Sequence, residues 1–161
     1  MVVSEALRRL GLPDEAATVA LGVALARSRP PRAVVYLQGE LGAGKSTLAR
    51  AMLRALGVTG AIRSPTYTLI ERYPLPGGGE AAHLDLYRIA RSGELEFLAL
   101  DELIEVATLW LIEWPERGAA ALPAADLTIE LAVAGRDART ARLIAGSASG
   151  AAWLQQAPVS D

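Results

Sequence analysis

The chain has 161 residues, 52% of them hydrophobic, which is enough apolar surface for one sizeable core, and a single domain is expected. It has no cysteine, a lone histidine (His83) and no apolar run near the roughly 20 residues of a membrane span, which excludes a disulfide framework, a thiol nucleophile, a Cys- or His-cluster metal centre and a transmembrane helix. A net charge of −2 with scattered arginines excludes the concentrated basic face of a strong nonspecific nucleic-acid binder, so any work on RNA is expected to go through a partner protein.

Met1-Val2-Val3-Ser4-Glu5-Ala6 lacks the basic start and long apolar core of a secretory signal, which predicts a cytoplasmic protein. Residues 6–10 fit either a strand or a helical turn. Leu12-Pro13-Asp14-Glu15 reads as a helix start, and residues 16–29 continue in Ala, Leu and Val until Arg29-Pro30-Pro31 stops them. Residues 33–38 are predicted as a strand, followed by a glycine-rich stretch and a helix from Lys45 to about Leu56 that ends at Gly57. After Ser64-Pro65-Thr66, residues 67–73 are predicted as a strand, and the turn 74–79 leads to a hairpin partner over residues 81–88. Period-two alternation puts His83, Asp85 and Tyr87 on one face of that partner and Leu84 and Leu86 on the other. A short capped helix is expected over residues 92–98, and Asp101-Glu102-Leu103 starts another. Thr108-Leu109-Trp110-Leu111-Ile112 reads as a buried central strand whose carboxyl end carries Glu113. Residues 126–133 and 139–144 form a predicted antiparallel hairpin at the far edge of the sheet, and residues 151–156 close the chain as a helix, with the first ten residues and the tail after 157 frayed.

The stretch Gly39-Glu40-Leu41-Gly42-Ala43-Gly44-Lys45-Ser46-Thr47 fits Gly, four residues, Gly-Lys-Ser/Thr, between a strand and a helix, which is the context that gives the pattern meaning. Glycines at 39, 42 and 44 let the backbone turn tightly and aim N–H groups at an anion beside a helix N-terminus. Lys45 is the sole lysine among 16 basic residues, and a slender ammonium threads such a loop where a planar guanidinium does not. It is expected as a solvent-facing ligand of the β- and γ-phosphates, with the Ser46 hydroxyl on Mg²⁺. The fold class that follows is α/β, a P-loop NTPase-like three-layer sandwich with a mixed central sheet and an antiparallel C-terminal hairpin.

Two acids compete for the metal and water-activating roles. Glu113 closes a buried strand, where P-loop sheets deliver a second acid, whereas Asp85 lies in a half-polar strand and faces either solvent or the site. Thr66 is either a hydroxyl that senses the γ-phosphate or part of an ordinary Ser-Pro turn. Trp114 is either core packing or a platform at the site's edge.

The four segments Gly-Glu-Leu-Gly-Ala-Gly-Lys-Ser-Thr, Ser-Pro-Thr-Tyr-Thr, His-Leu-Asp-Leu-Tyr-Arg and Ile-Glu-Trp-Pro-Glu, in that order, resemble the TsaE (YjeE) family of bacterial P-loop ATPases from about Leu12 to Arg136. The resemblance implies a small α/β ATPase needed for threonylcarbamoyladenosine in tRNA, acting with the TsaD and TsaB proteins, of which TsaD carries out the transfer. It implies ATP and Mg²⁺ as ligands and Gly42, Ala43, Gly44, Lys45, Ser46 and Thr47 as the phosphate cradle. It further makes Ser46 and Glu113 the metal ligands, Asp85 the second acid, Thr66 the switch threonine, and Glu15 and Arg136 the flanks of the adenine. Ser46 stands where threonine is common in the family, and either hydroxyl can ligate the ion. Two other functions share the strand, loop and helix: a small-molecule P-loop kinase with a thin lid at residues 88–91, and a nonhydrolysing module that uses ATP to hold a shape. A GTPase is the least favoured reading, because no Asn-Lys-x-Asp motif exists in a chain whose only lysine is Lys45.

Overall fold

The computed structural model describes residues 7–66, 68–89 and 100–159; Tyr67 and the helix expected over residues 92–98 lie outside them. In chain order the elements are β1 (Leu7–Leu12), α1 (Glu15–Ser28), β2 (Ala33–Gln38), α2 (Lys45–Ala55), β3 (Ile70–Pro74), β4 (Glu80–Asp85), α3 (Leu100–Val106), β5 (Ala107–Glu113), β6 (Leu127–Val133), β7 (Arg139–Ala145) and α4 (Ala148–Gln156). The strands form one sheet in the order β1-β7-β6-β2-β5-β4-β3. Strands β6, β2, β5 and β4 run parallel, and the two ends of the sheet are antiparallel. This is the expected mixed α/β architecture.

Local chemistry sets the helix limits. The Asp14 carboxylate accepts the Ala17 N–H at 2.9 Å as the N-cap of α1, a contact that typically contributes ~1 kcal/mol, and Pro30 and Pro31 follow its last residue. Helix α4 starts on the Ser147 hydroxyl, which accepts the Gly150 N–H. Helix α2 is different: its N-cap is Gly44 at φ 106°, and no side chain caps it. Its first amides are therefore left for something else to satisfy.

Helices α1, α2 and α4 cover one face of the sheet, where Leu21, Leu25, Leu48, Met52 and Trp153 pack on Val35, Leu37, Leu109, Leu111 and Ile129. Helix α3 covers the other face through Leu100 and Leu103, which pack with Leu84, Trp110 and Ile112. Alternation places odd-numbered Leu109 and Leu111 on the α2 side, so Glu113 at the end of β5 follows them there.

Three expectations need correction. The C-terminal hairpin β6–β7 is not the edge of the sheet, because β1 pairs antiparallel with β7 from Leu7↔Ile144 to Leu12↔Arg139 and buries Leu10 and Leu12. The described part of that ambiguous stretch, from Leu7 on, is thus a strand that covers β7's open hydrogen-bonding edge. Strand β3 begins at Ile70 rather than at residue 67, since Leu69 is not extended: its N–H bonds to the Pro65 carbonyl at 2.8 Å and its φ is 69°. Strand β4 stops at Asp85 rather than residue 88, because the Asp85 carboxylate accepts the Tyr87 N–H at 3.0 Å and turns the chain.

Candidate functional site

The carboxyl ends of β2, β4 and β5 and the N-terminus of α2 meet at one place. Between β2 and α2 the loop takes left-handed backbone angles that suit glycine. At Gly39 (φ 148°) an added Cβ would stand 2.4 Å from the Leu131 carbonyl oxygen, and at Gly44 (φ 106°) the chain turns directly into the helix.

Lys45, Ser46, Thr47, Thr66, Asp85 and Glu113 line a cavity of about 260 Å³ on this side of the loop, together with Gly42, Gly44 and Trp114. Its floor is acidic and buried, with Glu113 only 2% exposed and Asp85 8%. The Ser46 hydroxyl lies 3.1 and 3.3 Å from the two carboxylate oxygens of Glu113 and donates to them. His83 Nε2 approaches Glu113 Oε2 at 2.7 Å from the neighbouring strand. Of the two faces open to Asp85, solvent or site, the strand turns it to the site.

Lys45 corrects an expectation. It is 4% exposed rather than solvent-facing, because its ammonium folds back to donate to the carbonyls of Gly39 and Glu40, the latter at 3.0 Å. The Trp114 ring lies 4.5 Å from Lys45 Nζ, a cation–π contact that makes the tryptophan a platform at the site's edge. Trp114 reaches there because it leaves β5 at φ 57°, and its ring also packs against Tyr87. Burial lowers the lysine's pKa, while the carboxylates of Glu113, Asp85 and Glu116 pull it back up. Burial also raises the pKa of Asp85, which the Tyr87 N–H opposes and the charge of Glu113 reinforces.

A second cavity, about 170 Å³, opens on the other side of the loop and shares Gly42, Gly44 and Thr47 with the first. Glu15 and Arg136 both line it, with Thr18, Asp137 and Arg139. Arg139 donates to the Gly42 carbonyl at 3.1 Å, and its buried Nε has no hydrogen-bond partner among the described residues. Ala43 lines neither cavity: its side chain is buried and its N–H bonds to the Glu40 carbonyl. The Thr66 hydroxyl pairs with that of Ser64 at 2.7 Å at the rim of the first cavity.

His83, Thr18 and Arg139 had no role in the sequence reading. His83 could have been found from its place two residues before Asp85 on the same strand face; Thr18 and Arg139 carry no local signal, since only the fold brings them to the loop.

The residues fit an anion and a hard divalent cation. An uncapped helix N-terminus beside a buried ammonium suits phosphate, and the Ser46, Glu113 and Asp85 oxygens are the donor type Mg²⁺ takes. Among the described residues no three His, Asp or Glu side chains converge into a cage.

The family model described as threonylcarbamoyl adenosine biosynthesis protein TsaE matches residues 12–141. The chain is similar to the tRNA threonylcarbamoyladenosine biosynthesis protein TsaE of Haemophilus influenzae, 46% identical over 112 residues that cover 70% of each chain. It is also similar to the Bacillus subtilis protein of the same name, 37% identical over 127 residues, 79% of this chain and 77% of the other. The crystal structure of Bacillus subtilis YdiB has the same fold, with a TM-score of 0.80 at 26% identity over 96% of both chains.

Proposed function

This chain belongs to the TsaE family of threonylcarbamoyladenosine biosynthesis proteins, and on that premise we propose that it is a cytoplasmic, Mg²⁺-dependent ATPase that serves tRNA modification as a nucleotide switch on a TsaD–TsaB complex. The observation that carries the reading is the contact of the Ser46 hydroxyl with the buried Glu113 carboxylate at the uncapped start of α2.

In this reading Lys45 leaves the Gly39 and Glu40 carbonyls to pair with the β- and γ-phosphates, and the first amides of α2 bind the same charge. Ser46 and Glu113 would hold Mg²⁺, which would supply charge neutralisation of the phosphates. Asp85, as the ionised carboxylate, accepts a proton from the attacking water, and the rise in its pKa from burial makes that carboxylate a stronger base. Glu15 and Arg136, in the second cavity, flank the adenine. Thr66 and Trp114 stand at the rim of the first, where a docked partner reaches them and where their positions report the γ-phosphate.

A melting panel with ATP, ADP, GTP and AMP, with and without Mg²⁺, tests the ligand. ATP with Mg²⁺ at a hundredfold excess over Kd is expected to add ~2.7 kcal/mol of stability. Pull-down and ATPase assays with purified TsaD and TsaB test the switch: feeble turnover alone, stimulation by the pair, and nucleotide-dependent binding are expected. Equal binding with ATP, ADP and no nucleotide, with unchanged turnover, would refute the switch. ATP binding without turnover in any mixture would point to a nonhydrolysing module.

A further inference from the structure

We propose that His83 is a positioning residue that aims the Glu113 carboxylate at Ser46. The inference rests on the reading of Glu113 as the acid of the metal site. Strands β4 and β5 run parallel with His83 opposite Leu111 and Asp85 opposite Glu113, so the imidazole reaches one step along the sheet to the carboxylate at the end of the next strand. The contact is 2.7 Å long, and both side chains are 3% exposed. A carboxylate at that distance accepts, so the proton of the ring sits on Nε2.

Glu113 therefore takes hydrogen bonds from two elements at once, His83 on β4 and Ser46 on α2. The other ring nitrogen, Nδ1, is buried and has no partner among the described residues. A histidine kept only to fill the core would have its polar atoms satisfied by the chain around it, or would be replaced by an apolar residue. Here the one hydrogen bond of the ring goes to the acid, and the polar remainder is left unsatisfied for it. Without that donor, Glu113 keeps, among the described residues, only the Ser46 hydroxyl, the very group it has to share with a metal ion. Partners that orient a ligand in this way commonly govern metal affinity by ~10–100-fold.

The test is titration of a fluorescent ATP analogue into the parent, His83→Ala and His83→Gln, each in Mg²⁺ and in EDTA, with melting curves alongside. The parent is expected to bind tighter in Mg²⁺. In His83→Ala that Mg²⁺-linked gain falls ~10-fold or more while affinity in EDTA is unchanged. In His83→Gln, whose amide N–H reaches the same oxygen, most of the gain returns. An unaltered Mg²⁺ response in His83→Ala overturns the inference, as does an equal loss in EDTA or a glutamine variant no better than alanine. Failure of both variants to fold assigns His83 to the core and also overturns it. A parent with no Mg²⁺ response refutes the metal-site reading instead, and the inference falls with it.

Discussion

Gly22 sits on α1 where that helix meets α2, and a Cβ there would lie 2.7 Å from Ala51 Cβ and 3.0 Å from the Leu48 carbonyl oxygen. Carbon atoms in contact settle about 3.5–4.0 Å apart, so Gly22→Ala forces the helices to separate by ~1 Å. Neither neighbour can swing aside, one being a Cβ and the other backbone. Overpacking of this kind costs ~1–3 kcal/mol. Exchanging glycine for alanine inside a helix offsets up to ~1 kcal/mol of that. The expected net is a loss of about 1 kcal/mol, read in thermal or urea denaturation as a melting point lower by ~2–4 °C for a chain of this size. Because α2 begins with Lys45 and Ser46, the displacement also reaches the phosphate loop, and ATP affinity falls with stability. Adding Ala51→Gly removes the nearest atom and recovers part of the penalty, giving a favourable coupling in the double-mutant cycle. A Gly22→Ala protein as stable as the parent would refute the claim that these helices are in closest possible contact.

Lys45→Ala is expected to abolish the ATP-dependent melting shift while the protein stays folded; a shift equal to the parent's would end the phosphate-loop reading. Glu113→Gln should bind nucleotide with weakened Mg²⁺ dependence and lose hydrolysis, and wild-type turnover there with loss only in Asp85→Asn would exchange the roles of the two acids. Asp85 also sets a pH dependence. Burial raises its pKa on folding, so the folded chain holds more protons than the unfolded one just above the ordinary carboxylate range, and stability falls as pH rises through that window. Asp85→Asn should flatten this fall in melting curves of the ligand-free protein across the mildly acidic range. Trp153→Ala should cost ~3–5 kcal/mol, since this fully buried ring also donates to the Leu25 carbonyl at 3.1 Å.

The elements that punctuation residues control were legible in the sequence. Asp14 and the Pro30-Pro31 pair bound α1, Gly44 opens α2, and the run ending at Glu113 is the buried strand it reads as. The misses have tertiary causes. Residues 7–12 show weak alternation and become a strand because β7 offers an open edge, which no local pattern announces. Lys45 has the composition of an exposed ligand, yet three partners close over it, the carbonyls of Gly39 and Glu40 and the ring of Trp114. The pairing of His83 with Glu113 depends on β4 lying beside β5, a register fixed by the sheet rather than by either segment.

The order of the strands bears on how the chain is made. Strand β2, which leads into the glycine-rich loop, has as its two neighbours β5 and β6, both encoded long after it, and β1 waits for β7. At ~5–20 residues per second, the interval between synthesis of residue 38 and residue 113, the end of β5, is on the order of 4–15 s. For that time Ala33-Val34-Val35-Tyr36-Leu37 has no permanent partner on either side, and the nascent chain presents an apolar edge that invites wrong pairing. A ribosome that stops before Leu127 releases a polypeptide with every letter of the glycine-rich motif but without β6, the strand that flanks β2 on the side away from β5.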